Sequence, residues 1–214
     1  MMIKGFFISG TGTNVGKTII SSVLVKKLGA DYFKPIQCGK NSLSETDSDV
    51  VKKLCPKVKI FAESYFFNKP ESPSIASQKE NKKVELKELL KIRKEKTNNK
   101  IIIEGAGGLQ VPVNDNYLMS DVAKKFNLPL ILVAKTSLGT INHTLMSIQI
   151  IKEKKINFCG IIFIGNKREK TIKTIKLFGE RILKKKIKII GIVPMVGKIT
   201  RKSIDNFTRL LNIK

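Results

Sequence analysis

Residues Gly10-Thr11-Gly12-Thr13-Asn14-Val15-Gly16-Lys17-Thr18 place three glycines, a lysine and a terminal hydroxyl within nine positions. That set suits a polyphosphate. A glycine-rich loop turns successive backbone N–H groups toward one point, and a helix that follows adds the partial positive charge of its N-terminus. Lys17 then reaches the β- and γ-phosphates, and the Thr18 hydroxyl is offered to Mg²⁺. The flanks agree: Gly5-Phe6-Phe7-Ile8-Ser9 reads as a strand and Ile19-Ile20-Ser21-Ser22-Val23-Leu24-Val25 as a helix. The pattern therefore predicts a nucleoside-triphosphate site. Its spacing is wider than usual: counted back from Gly16-Lys17, the first glycine belongs at Thr11, and here Gly10 stands one residue earlier.

Further chemistry lies elsewhere. Ile101-Ile102-Ile103-Glu104-Gly105-Ala106-Gly107-Gly108 is an apolar strand ending in an acid, where a phosphate-loop enzyme needs a further Mg²⁺ contact. Tyr32-Phe33-Lys34-Pro35 sets a lysine at a strand end, aimed at a reacting phosphoryl group. Asp47 and Asp49 precede an apolar helix start at Val50; one suits an N-cap and the other a metal's oxygen shell. Thr136 to His143 follows an apolar run and opens a helix whose free N–H groups suit an anion. Asn166 follows another such run, either as a turn residue or with its amide toward a purine edge. His143 is the single histidine and reads as structural. Cys38, Cys55 and Cys159 lack metal-ligand spacing and read as reduced thiols of a cytoplasmic protein.

The elements that must position these groups recur along the chain. Apolar runs at Ile3–Ser9, Tyr32–Gln37, Ile101–Glu104, Leu128–Ala134, Phe158–Ile164 and Ile187–Val193 read as strands buried on both faces. Helical patterns span Thr18–Leu28, Val84–Ile92, Ser120–Phe126, Gly139–Lys152, Ile172–Leu183 and Ser203–Leu211. Alternation of the two predicts an α/β fold, a mostly parallel sheet flanked by helices, in one domain spanning residues 1–214. Residues 40–48 and 67–83 read as loops. In such a sheet ligands bind beyond the carboxyl ends of the strands, where several of these polar groups fall.

The net charge of +24 comes from lysines spread along the chain, with five arginines and no aromatic residues between them to stack bases. It suits attraction of anionic substrates rather than nucleic acid. No apolar stretch approaches a membrane span, and Met1-Met2-Ile3-Lys4 runs into the first strand without signal-peptide layout.

In their order and approximate spacing, these residues resemble the dethiobiotin synthase family, whose P-loop NTPase-like fold carries a wider Gly-Thr-x-Thr-x-Val-Gly-Lys-Thr loop. Gly10–Thr18 fits that form throughout, and Lys34-Pro35, Asp49, Glu104-Gly-Ala-Gly-Gly, Leu138-Gly-Thr-Ile-Asn142-His143, Asn166 and Gly191-Ile-Val-Pro194 follow. The resemblance implies a ligase of biotin biosynthesis that joins CO2 and 7,8-diaminononanoate at the expense of ATP. An amine captures CO2 as a carbamate, the carbamate attacks the γ-phosphoryl group, and the second amine closes the ureido ring. By the same resemblance, Lys17, Lys34 and Thr13 serve the reacting groups, and Gly12, Thr13, Asn14, Val15, Gly16, Lys17, Thr18, Asn166 and Pro194 bind the nucleotide. Thr18, Asp49 and Glu104 hold Mg²⁺. Lys34 and Cys38 contact substrate, together with Leu138, Gly139 and Asn142 from the neighbouring subunit of a homodimer. Cys38 stands where the family usually has a hydroxyl, a better hydrogen-bonding group than a thiol. The alternative is a partition or septum-site ATPase that switches at DNA or membrane. Its loop carries an extra early lysine, and between Gly10 and Gly16 there is none.

Overall fold

The computed structural model describes residues 4–94 and 97–213, so the start of the first expected strand at Ile3 lies outside the described residues. In chain order the elements are β1 (Gly5–Gly10), α1 (Lys17–Leu28), β2 (Asp31–Phe33), β3 (Ile36–Cys38), α2 (Asp47–Leu54), β4 (Ile60–Phe61), β5 (Tyr65–Phe67), α3 (Pro73–Lys79), α4 (Leu86–Leu89), a 3₁₀ turn (Lys91–Lys94), β6 (Ile101–Gly108), α5 (Met119–Phe126), β7 (Leu130–Lys135), α6 (Thr140–Glu153), β8 (Phe158–Ile164), α7 (Glu169–Leu183), β9 (Ile189–Val193) and α8 (Arg201–Thr208).

Seven strands form one parallel sheet in the order β4-β2-β6-β1-β7-β8-β9. The period-2 alternation of each strand feeds two cores. Phe7, Ile101, Ile103, Leu130, Leu132, Ile161 and Phe163 pack on one face with Phe126, Ile148 and Ile175. Ile8, Ile102, Ile131, Val133 and Ile162 pack on the other with Ile20, Val23, Leu24, Val51, Ile204 and Phe207. Both faces are covered, which is why the strands read as solid apolar runs. β1 sits between β6 and β7, so the loop after it emerges in the crevice at the carboxyl rim of the sheet.

The run Tyr32–Gln37, expected as one strand, is two. Pro35 has no N–H to give a ladder, and its carbonyl instead accepts from the N–H groups of Ser64 and Tyr65. β2 stays in the main sheet, while β3 leaves it to pair in parallel with β5. That break turns Lys34 into the crevice. The patterned segment Val84–Ile92 gives only the short α4 and a 3₁₀ turn, and residues 67–83, expected as loop, contain α3 with Pro73 at its first turn.

Candidate active site

The loop between β1 and α1 has the conformation its glycines permit. A Cβ on Gly10 would lie 2.5 Å from Val15 Cγ2 and 2.9 Å from the Gly12 carbonyl oxygen, so only glycine lets the chain turn this tightly. Gly16 is the N-cap of α1 with φ 94°, a left-handed conformation, and no side chain caps the helix. The first-turn N–H groups of α1 thus remain free for an anion. Thr13, Asn14, Gly16, Lys17 and Thr18 line a cleft of about 850 Å³, whose far walls include Lys34, Cys38, Asp47, Glu104 and Gly107. Gly12 gives its carbonyl to Lys17 Nζ at 2.9 Å. The Val15 side chain is buried, and Val15 itself is not among the residues that line the cleft.

Burial, and then the neighbouring Lys34 ammonium, pull the Lys17 pKa down to about 8. A polyphosphate needs the ammonium form. Nucleotide affinity is therefore expected to be flat in this group below pH 7 and to fall above pH 8, approaching about tenfold per pH unit. Calorimetric titration between pH 6.5 and 9.5 measures this. The stability term has the opposite sign. Between pH 8 and 10.5 the unfolded chain binds a proton the folded chain does not, so this group's contribution to stability rises with pH there.

Glu104, on β6, is the hub. Its Oε1 accepts from Thr18 Oγ1 at 2.9 Å and from Lys34 Nζ at 3.2 Å. Its Oε2 accepts from Ser21 Oγ at 2.8 Å and from Tyr32 OH at 2.9 Å. Lys34 Nζ further donates to the Gly105 carbonyl at 3.2 Å and lies 2.7 Å from Asp47 Oδ2. Burial alone lowers a lysine's pKa, but the Glu104 and Asp47 carboxylates outweigh it and hold Lys34 firmly protonated. Burial likewise opposes ionisation of Asp47, and the Lys34 ammonium overrides it, keeping the carboxyl below its ordinary range. Burial also pushes the Cys38 thiol up to about 11, so it faces the cleft as a neutral S–H.

Of the two aspartates, the structure brings Asp47, not Asp49, into the cleft. Asp49 is exposed at the third position of α2, where its Oδ2 accepts from the Thr46 N–H and hydroxyl at 2.9 and 2.8 Å and Thr46 Oγ1 caps the Asp49 N–H. This reciprocal cap occupies the Asp49 carboxylate, expected to hold the metal, and the carboxylate that faces the cleft is that of Asp47. Asp47 is held in turn by its own N–H, which donates to Oε1 of the buried Gln37 at 3.2 Å. Asp49→Ala is expected to cost about 1 kcal/mol of stability through the lost cap and to leave turnover within twofold. Asp47→Asn is expected to raise the Mg²⁺ concentration for half-maximal rate by about tenfold or more. Urea unfolding and magnesium titration of the two variants separate these outcomes.

The oxygens of Thr18, Asp47 and Glu104 fit Mg²⁺. They are hard donors, and both carboxylates reach the same Lys34 ammonium while Glu104 also meets the Thr18 hydroxyl, so the three oxygens border one part of the cleft. Among the described residues no three His, Cys, Asp or Glu gather into a metal cage. A magnesium held by two carboxylates and a hydroxyl beside phosphates needs none.

The remaining expected residues lie apart from this cleft. Asn166 and Pro194 are exposed just beyond β8 and β9, on the same rim. The end of β8 abuts the loop, since a Cβ on Gly16 would lie 2.3 Å from Ile164 Cδ1. Leu138, Gly139 and Asn142 stand at the start of α6, with Leu138 99% exposed, and none of them lines the cleft of its own chain. Ser21, Tyr32 and Gln37 are buried polar residues of the site that sequence reading passed over. The one signal for them is a polar side chain within an otherwise apolar element.

A family model described as an AAA domain matches residues 4–203. An ATP-dependent dethiobiotin synthetase BioD of Lawsonia intracellularis is 39% identical over 98% of this chain and 97% of its own length. One from Christiangramia forsetii is 40% identical over 89% of this chain and 87% of its own. Among solved structures, a ParA family ATPase from Chlorobium tepidum aligns with a TM-score of 0.54 at 13% identity, covering 97% of this chain and 92% of that one. The Aquifex aeolicus MinC:MinD cell division complex aligns at 0.52 and 15%, covering 96% and 85%. At such identities the two structures speak for the shared P-loop fold alone. No helix among the described residues is long and apolar enough to cross a membrane. On the strength of a 39% match running almost end to end in both sequences, this chain belongs to the family of ATP-dependent dethiobiotin synthetases.

Proposed function

We propose that the chain converts ATP, CO2 and 7,8-diaminononanoate to dethiobiotin, ADP and phosphate, as a step of biotin biosynthesis in the cytoplasm. The observation that carries this reading is the Lys34 ammonium, buried at the rim of the phosphate-loop cleft and held by Glu104 and Asp47. A fixed positive charge there suits a reaction in which both partners, a triphosphate and a carbamate, are anions.

In this mechanism one substrate amine adds to CO2, gives up a proton and becomes a carbamate. A carbamate oxygen attacks the γ-phosphorus, the bond to the β-phosphate oxygen breaks, and ADP leaves. The second amine attacks the carbonyl carbon of the carbamic–phosphoric anhydride, and phosphate departs as the ureido ring closes. The substrate supplies both nucleophiles, so the protein's work is positioning and charge stabilisation. Lys17 meets the β- and γ-phosphates, Lys34 the carbamate and transferring phosphoryl group, and Thr13 hydrogen-bonds near both. Backbone N–H groups of Gly12 to Thr18 cradle the phosphates, Asn166 reads the adenine and the Pro194 backbone lies beside it. Thr18, Asp47 and Glu104 would hold Mg²⁺, which when bound neutralises charge across the β- and γ-oxygens. Cys38 borders the diamine, with its thiol neutral.

The diamine's carboxylate is received at the start of α6 of a second copy, by Leu138, Gly139 and Asn142. This is supported by the near-complete exposure of Leu138 and by a helix start with free N–H groups. A homodimer is expected in sedimentation, and Leu138→Glu is expected to yield monomers with a KM for the diamine raised at least about tenfold.

Incubation with ATP, Mg²⁺, bicarbonate and 7,8-diaminononanoate tests the reading. Mass detection of dethiobiotin in step with ADP is the expected result. ATP hydrolysis without the ureido product would overturn it in favour of a switch ATPase.

A further inference from the structure

Four donors surround the Glu104 carboxylate, and they are not shared evenly in kind. Oε1 faces the cleft and meets the Thr18 hydroxyl and the Lys34 ammonium, which it shares with Asp47 and the Gly105 carbonyl. Oε2 faces inward and meets two hydroxyls from different elements, Ser21 on α1 and Tyr32 on β2, both fully buried. A carboxylate oxygen has two lone pairs, and two O–H donors at 2.8 and 2.9 Å fill those of Oε2. The Tyr32 ring is packed in the core with Ile8, Ile20 and Ile102, and the Ser21 side chain is fully buried.

We propose that Ser21 and Tyr32 set the metal selectivity of the site: by saturating Oε2 they restrict Glu104 to one-oxygen ligation through Oε1, which suits Mg²⁺ and disfavours Ca²⁺. The two ions differ in what they ask of a carboxylate. Mg²⁺ takes six ligands at about 2.0–2.1 Å in an octahedron and accepts single carboxylate oxygens. Ca²⁺ takes six to eight at about 2.3–2.6 Å and gains from two oxygens of one carboxylate. A Glu104 with Oε2 free can turn and offer both; with Oε2 tied it cannot. Neither Ser21 nor Tyr32 need touch the metal or the substrates, so both are positioning residues. The inference rests on the reading of Glu104 as a metal ligand.

The test compares wild type, Tyr32→Phe, Ser21→Ala and Glu104→Gln, each with bound ADP. Mg²⁺ and Ca²⁺ are titrated separately to displace Mn²⁺, followed by electron paramagnetic resonance, with melting temperature as a separate readout. Tyr32→Phe and Ser21→Ala are each expected to shift the ratio of Ca²⁺ to Mg²⁺ affinity toward Ca²⁺ by about tenfold. A merely structural role would lower the melting temperature and leave that ratio alone. If Glu104→Gln weakens Mg²⁺ while the ratio stays at the wild-type value in both hydroxyl variants, the inference is wrong and the ligand reading stands. If Glu104→Gln leaves both ions bound as before, the ligand reading fails and the inference with it. Should Tyr32→Phe not fold, Ser21→Ala decides alone, because it removes one donor and no ring.

Discussion

Lys34→Met is expected to reduce kcat for ureido-ring formation by on the order of 10³-fold and also to destabilise the protein. Both effects come from one geometry. The ammonium lies 2.7 Å from Asp47 and 3.2 Å from Glu104, with 5% of the Lys34 side chain and 1% of the Glu104 side chain exposed. Removing it leaves two carboxylates facing each other with their counter-charge gone. Breaking a buried pair in this way costs about 3 kcal/mol or more. Urea unfolding with and without Mg²⁺ and ADP checks the cause. A cation bound between the carboxylates is expected to restore much of the lost stability, whereas a packing defect left by the methionine would persist. Turnover is expected to stay low in either case, since a restored metal does not replace a charge aimed at the carbamate.

Lys17→Met is expected to abolish turnover as thoroughly, by on the order of 10³-fold, with the opposite effect on stability. Lys17 is buried, its ammonium leans on a single carbonyl at 2.9 Å, and burial pulls its pKa down to about 8. Its charge is a burden on the folded state at neutral pH, as expected of a group whose partner is a ligand. Methionine keeps the stem and removes the burden, so the melting temperature is expected to hold or rise while the ADP-induced rise in melting temperature largely disappears. Two buried lysines of one cleft thus separate by their partners. Lys34 is matched by two carboxylates within the chain, and Lys17 leans on one carbonyl beside the open cleft.

Much of this arrangement was legible in the sequence because local rules and global fold agree. The glycine pattern of residues 10–18, the solid apolar strands and the acid at the end of Ile101–Ile103 each follow from short-range chemistry, and the sheet assembles them without override. The departures have physical causes. Pro35 cut an apparent strand in two, since a residue without an N–H cannot continue a central ladder. Val84–Ile92 has helical spacing, yet much of it is consumed in short turns that seat Val84, Leu89 and Ile92 in the core. Which of Asp47 and Asp49 faces the cleft is readable from local rules: Thr46-Asp47-Ser48-Asp49 is a cap sequence in which the acid three residues after the threonine is engaged, leaving Asp47 toward the cleft. The inner support of Glu104 was not readable. Ser21, Tyr32 and Glu104 are distant in sequence, and only the parallel packing of α1, β2 and β6 brings them together.

The most direct measurement follows oxygen. In turnover with bicarbonate and CO2 labelled with ¹⁸O, a carbamate oxygen that attacks the γ-phosphorus must leave with it. The account expects one ¹⁸O in each phosphate released, in step with dethiobiotin. Phosphate free of label, formed while dethiobiotin accumulates, would mean that water rather than a carbamate receives the phosphoryl group, and would contradict it.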